Sequence, residues 1–239
     1  MFAIYKKEIK TFFYTMEAYV AISIFLIINS LILWYIPSDF NILHNNKATL
    51  LPFFSISPWV FLVLTPAITM KMISYEFLQR TSLILWTKPI QKWKIITAKY
   101  LASLTIGIIT IIPSLIFVYS ICQLSMPKWN IDQGELMGSY LGLVMLLGLY
   151  TSIGIFCSSI SNNTMITFIS TIVIILFLYT GLDILGDVYN IYLFEYLSII
   201  THYESISRGV LDSRDLLYFI SFIFGFLYFT TLIIDYKKT

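Results

Sequence analysis

Six stretches of the chain contain no charged residue: 18–36, 52–70, 100–122, 140–160, 165–182 and 216–234. Each is close to the ~20 apolar residues that cross ~30 Å of hydrocarbon as a helix. Within them the apolar residues run continuously instead of alternating with polar ones, so the pattern predicts helices and not the strands of a membrane barrel. No small-residue cleavage pattern closes the first run, and the first helix is expected to be retained. The predicted fold is an all-α integral membrane protein, one domain over 1–239 with six transmembrane helices.

Three segments break this pattern. Over residues 1–17, Phe2, Tyr5, Ile9, Phe12, Phe13 and Met16 share one side of a helical wheel, while Lys6, Lys7, Glu8, Lys10 and Thr15 occupy the rest. A helix of this kind lies in the membrane interface. Residues 74–99 read SYEFLQRTSLILWTKPIQKWKIITAK; Pro89 divides them into two short helical pieces, the first with Glu76 and Arg80 at i, i+4 and an apolar patch at Leu83, Ile84, Leu85 and Trp86. That patch needs a cover, and lipid headgroups or a partner protein would serve equally. Residues 183–215 are dense in tyrosine and too long for a structureless connection, which predicts short interfacial or re-entrant helices. Here His202, Glu204, Arg208, Asp212, Arg214 and Asp215 are near enough to pair.

Composition supports the membrane reading and excludes others. The 239 residues are 58% hydrophobic and 12% charged with mean hydropathy +0.83, leaving no separate soluble domain. Lys6, Lys7, Lys10, Lys71, Arg80, Lys88, Lys92, Lys94, Lys99, Lys237 and Lys238 fall on one side of the six spans, most of the 15 basic residues, while the opposite side is acidic. By the positive-inside rule both termini are expected to be cytoplasmic. The net charge of +2 conceals this asymmetry and gives no reason to invoke nucleic acid.

Chemistry-bearing motifs are sparse. Nothing fits G-x-x-x-x-G-K-[ST], so the chain is not expected to hydrolyse ATP by a P-loop. His44 and His202 lie apart and outside any metal-ligand spacing. Charge-free spans argue against self-powered ion coupling, which usually needs an ionisable group at mid-membrane. Cys122 and Cys157 are expected at opposite membrane faces, unable to pair. Small residues four apart (Gly138 and Gly142, Gly148 and Ser152, Gly154 and Ser158, Ser103 and Gly107) predict close helix contacts, and Pro66 and Pro113 predict kinks.

The order of these parts resembles the ABC-2 type permeases, in a type V exporter-like architecture with an N-terminal elbow helix. Within them it is most similar to the GldF-type permease subunits of gliding-motility ABC transporters. The pieces that carry the resemblance are FFSISPWVFLVLTPAITMK from Phe53, TKPIQKWKIITAKYLASL from Thr87 and, most specific, HYESISRGVLDSRDLLYF from His202. The family pattern after the second span has a pair of acids, a Gly-Thr and a later acid before the proline. This chain has Tyr75 and Glu76, Arg80 and Thr81, and Leu83 at those places, so one acid, the glycine and the later acid are replaced.

The resemblance implies that 74–99 is a coupling segment docking into a separate ATPase, with Glu76, Thr81, Leu85 and Pro89 at the contact. It implies no cofactor in this chain, ATP and Mg being bound by a GldA-like ATPase subunit. A GldG-like second membrane subunit or a second copy of the chain would complete the transporter in an inner membrane. On the outer side His202, Tyr203, Glu204 and Arg208 become candidates for a gate or substrate contact. Other readings are an export permease for a lipid, drug or polysaccharide, an intramembrane lipid-modifying enzyme using His202 and Glu204, and a structural anchor that moves nothing.

Overall fold

A computed structural model of the chain describes residues 1–45, 49–79, 91–125, 132–209 and 212–237. Among these residues six helices are long and apolar enough to cross a membrane: Met16–Tyr35, Leu51–Leu78, Lys92–Leu124, Gln133–Ile160, Thr164–Tyr189 and Ser213–Tyr236. Each covers one of the charge-free stretches, the first all but Ile36, and most run well past it. Charge limits what can sit in hydrocarbon, but Glu, Lys and Gln are good helix formers, so helices continue through Lys92–Lys99 and Gln133–Ser139.

In chain order the elements are α1 (Phe2–Tyr14), α2 (Met16–Ser30), α3 (Ile42–Asn45), α4 (Leu51–Thr69), α5 (Ser74–Leu78), α6 (Lys92–Ile111), α7 (Leu115–Leu124), α8 (Gln133–Ile160), α9 (Thr164–Leu176), α10 (Leu182–Tyr189), α11 (Tyr192–Leu197), α12 (Ile199–Ser207) and α13 (Ser213–Tyr236). Asp132, Asn163 and Asp212 accept hydrogen bonds from the first free N–H groups of α8, α9 and α13, which sets where those helices begin.

Helix α8 is the central post, packed against α13, α4, α9, α12 and α6. Its small residues explain the position: Gly138 and Gly142 face α12, Gly148 faces α6 and α13, and Gly154 faces α4. A Cβ on Gly138 would stand 2.8 Å from Gly209 Cα, beside α12, and one on Gly154 would overlap the Thr69 side chain of α4. On the facing helix α6, a Cβ on Gly107 would meet Leu147 at 2.6 Å.

The prolines act in two ways. Pro113 sits in the tight turn Ile112–Ser114 that separates α6 from α7, an interruption of the predicted third span. Pro66 and also Pro58 lie inside α4, which remains one helix from Leu51 to Thr69. The residues just before them, Ser57 and Thr65, donate to the Phe53 and Phe61 carbonyls at 2.8 Å each, holding polar groups inside the helix. Both cysteines are buried and unpaired.

Residues 182–207 fold as three short helices at one end of the bundle. Asn190, in left-handed backbone at φ 53°, closes α10 and turns the chain into α11. In α12 the apolar and aromatic residues Ile199, Tyr203 and Ile206 and the polar His202 are buried. Spaced at i, i+3, i+4 and i+7, they form one face, turned onto α8.

Candidate functional site

At the end of the bundle that carries α1 and the end of α13, the chain leaves α4 and forms α5. The first N–H groups of a helix lack partners within it and must find them elsewhere. Here Ser158 of α8 accepts from both Ile73 N and Ser74 N at 3.0 Å. Lys237, just past α13, donates to the Ile160 carbonyl at 2.8 Å and the Asn162 side-chain oxygen at 3.1 Å, and lies 4.6 Å over the Phe77 ring. It caps the negative end of α8 while gripping α5. Partial burial pushes the Lys237 ammonium below the ordinary lysine range, and these oxygens and the ring replace the water it loses.

The tightest part of this site is a four-charge cluster. Lys99 of α6 is 1% exposed, and its Nζ donates to Glu76 Oε1 at 2.9 Å, Glu8 Oε1 at 3.0 Å and the Met72 carbonyl at 2.5 Å. Lys7 Nζ stands 3.6 Å from Glu76 Oε1 and 3.8 Å from Glu8 Oε1, so two cations face two carboxylates. Around it, Lys92 pairs with Asp235 and Lys71 with Glu17. Glu8 therefore does not face outward with the lysines of α1. The face of α1 packed on the bundle includes Ile4, Glu8 and Phe12, because the buried Lys99 ammonium needs a carboxylate there.

At the opposite end His202 is 5% exposed and clamped on three sides. Its Nε2 donates to the Tyr196 carbonyl at 2.8 Å, its Nδ1 lies 2.6 Å from Asp215 Oδ1, and its ring stacks on Tyr218 at 4.0 Å. The Tyr218 hydroxyl donates to the Leu197 carbonyl at 2.7 Å, so α13 pins the turn between α11 and α12 at two points. Tyr203 is buried and its hydroxyl donates to the Phe54 carbonyl at 2.7 Å.

The chain matches the family model of ABC-2 family transporter proteins over residues 2–233. It belongs to the ABC-2 transporter family. No curated protein and no solved structure matches it. In this family the membrane permease is typically a non-catalytic subunit and works with an ABC ATPase.

Against this identity the candidate residues separate cleanly. Of the coupling-segment set, Glu76 points its carboxylate at Lys99 of its own chain, and Thr81, Leu85 and Pro89 lie outside the described residues. Of the outer set, His202 and Tyr203 face the bundle, whereas the Glu204 and Arg208 side chains are 58% and 72% exposed and pair at 3.8 Å. His202 is brought to Asp215 and not to Glu204, and both of its ring nitrogens are occupied. The acid–base pairing required by the lipid-modifying reading is not assembled.

Lys99, Ser158, Asp215 and Lys237 carry this ABC-2 permease's polar contacts; the sequence names Asp215 among the residues near enough to pair with His202, but marks none of the other three for a polar contact. For Lys99 a signal exists. Ile95, Lys99, Ala102, Ser103 and Ile106 fall on one helical face and all are buried, so a lysine stands at a core position. The pattern marks Ser158 only as a small residue at a close helix contact, and nothing in the sequence shows that its hydroxyl receives the N–H groups of Ile73 and Ser74.

Proposed function

We propose that this chain is the membrane-spanning permease subunit of an ATP-driven ABC transporter that serves gliding motility. A separate GldA-like ATPase binds ATP and Mg, and residues 74–99 dock into it with Thr81, Leu85 and Pro89 at the contact and Glu76 holding the base. A GldG-like subunit or a second copy of the chain completes the transporter in the inner membrane, both termini cytoplasmic. Family membership supports the permease role. The observation that carries the placement of the docking segment is the anchoring of α5: Ser158, Lys99 and Lys237 fasten it to α8, α6 and the end of α13. An element that receives force from a partner must be fixed to what it moves.

In this reading closure of the ATPase pair displaces 74–99, and the displacement enters the bundle through α5 and the start of α6. Because α8 packs against α5 as well as α4, α6, α9, α12 and α13, it spreads the movement to the others. The outer helices α10–α12, held by His202 and Tyr203, close the opposite end. The gliding role is supported by the string THYESISRGVLDSRDL, whose polar specificity exceeds what apolar composition produces.

The test is a mild-detergent pull-down of tagged chain from its native membrane, with ATPase activity assayed and Leu85→Asp as control. Copurification of an ATPase and a second membrane subunit, lost in Leu85→Asp, is the expected result. A chain that emerges alone, with the variant behaving identically, sinks the proposal. An ATPase without gliding partners moves the assignment to an export permease for a lipid, drug or polysaccharide.

A further inference from the structure

Lys99 ties together elements far apart in sequence: α1 through Glu8, 91 residues away, α5 through Glu76, 23 residues away, and the turn before α5 through the Met72 carbonyl. Burying such charges is costly, and apolar residues of similar volume often do as well or better for stability. Stability alone is a weak reason for the cluster to exist. What it supplies that apolar packing does not is one defined arrangement of three elements.

The arrangement has a mechanical consequence. Glu76 and Lys99 stand at the two feet of the 74–99 segment, and their 2.9 Å bond closes its base. Force entering through an α5 not tied to α6 would be absorbed as α5 moves away from it. With the feet joined, the force passes into α6 and, through Glu8, into α1. We infer that Lys99 is a positioning residue that makes the coupling segment, α6 and α1 move as one body when the ATPase acts. This inference rests on the permease reading above and adds the route by which the movement leaves the docking segment.

The experiment uses tagged chain with its copurifying ATPase in lipid nanodiscs, with ATP and a non-hydrolysable ATP analogue as probes. Lys99→Met keeps the apolar stem and removes the charge. Because Lys99 also anchors the docking segment, turnover is read per copurified ATPase, and its permease-dependent change is expected to fall about tenfold. Amide exchange in α1, which differs with and without the analogue in the wild type, stops responding; residues 74–79 still respond. A purely structural lysine would lower the amount of complex and leave the modulation per copurified ATPase unchanged.

Lys99→Met with full modulation and a responsive α1 overturns the inference and leaves the permease reading standing. Failure of any ATPase to copurify with the wild type overturns the permease reading itself. Should Lys99→Met not fold, Glu8→Gln, Glu76→Gln and Lys99→Met combined leave no unpaired buried charge among these three side chains and take its place. Independently of any variant, an α1 in the unmodified complex whose exchange ignores the analogue overturns the inference.

Discussion

The Tyr203 hydroxyl donates to the Phe54 carbonyl, 149 positions earlier in the chain, and this carbonyl is the one that Pro58 leaves without a helical donor. A proline within a helix removes the N–H owed to the residue four before it. In hydrocarbon that carbonyl must find another donor. Tyr203 of α12 supplies it, so the defect in α4 becomes the docking point for α12.

Tyr203→Phe is expected to cost about 1 kcal/mol, the scale of one hydrogen bond within a membrane bundle. Pro58→Ala restores the N–H at position 58, and in that background Tyr203→Phe becomes nearly silent. The check is a double-mutant cycle by reversible detergent unfolding. Equal costs in both backgrounds would mean that the two residues do not share the carbonyl.

Gly154 and Gly225 make a matched contrast. A Cβ at Gly154 collides with Thr69, whereas at Gly225 it meets nothing within 4 Å. Gly154→Ala is expected to destabilise by about 1–3 kcal/mol through overpacking. Gly225→Ala is expected to stabilise by up to about 1 kcal/mol through helix propensity. Thermal midpoints of the purified variants decide it, and a Gly154→Ala midpoint at or above wild type contradicts the α4–α8 contact.

Ser158→Ala leaves the Ile73 and Ser74 N–H groups without their acceptor. The expected cost is about 1–3 kcal/mol, the penalty for buried donors left unsatisfied. It should be local: amide exchange accelerates in residues 73–78 while the middle of α8 stays protected. Uniform acceleration across the bundle would place the role of Ser158 elsewhere.

His202→Ala strands Asp215 in a buried site and should cost about 3–5 kcal/mol, as does breaking one side of a buried pair. His202→Phe with Asp215→Leu removes both polar partners and should recover much of the loss. Unfolding measurements on the two variants test this. A double variant as unstable as the single one would show that shape at this site matters more than the His202–Asp215 hydrogen bond.

Much of the architecture was legible because it is local. Whether a stretch such as 165–182 can cross a membrane depends on its own residues and the thickness of hydrocarbon. The small residues of α8 likewise announced close packing, and the length of the tyrosine-rich 183–215 segment announced short helices. Pro58 shows the limit: its missing donor is certain from the chain, but no property of 52–70 says that a tyrosine beyond position 200 will replace it.

The candidate site was less legible for the same reason. Glu8, Glu76 and Lys99 each look like solvated charges at the ends of apolar runs, and only the packing of α1 and α5 on α6 makes them partners. His202 and Glu204 look like neighbours, yet two positions on a helix face different ways, so one is buried against Asp215 and the other meets solvent.

By itself the sequence determined six apolar helices, the basic and acidic ends of the bundle and the resemblance to an ABC-2 permease. Those follow from hydrophobicity and charge summed along single segments. The tertiary structure decided which neighbour each small residue receives, which carbonyl Tyr203 reaches and which carboxylates surround Lys99. Each of these is a matter of a few ångströms between helices distant in the chain, and it exists only once their order in space is set.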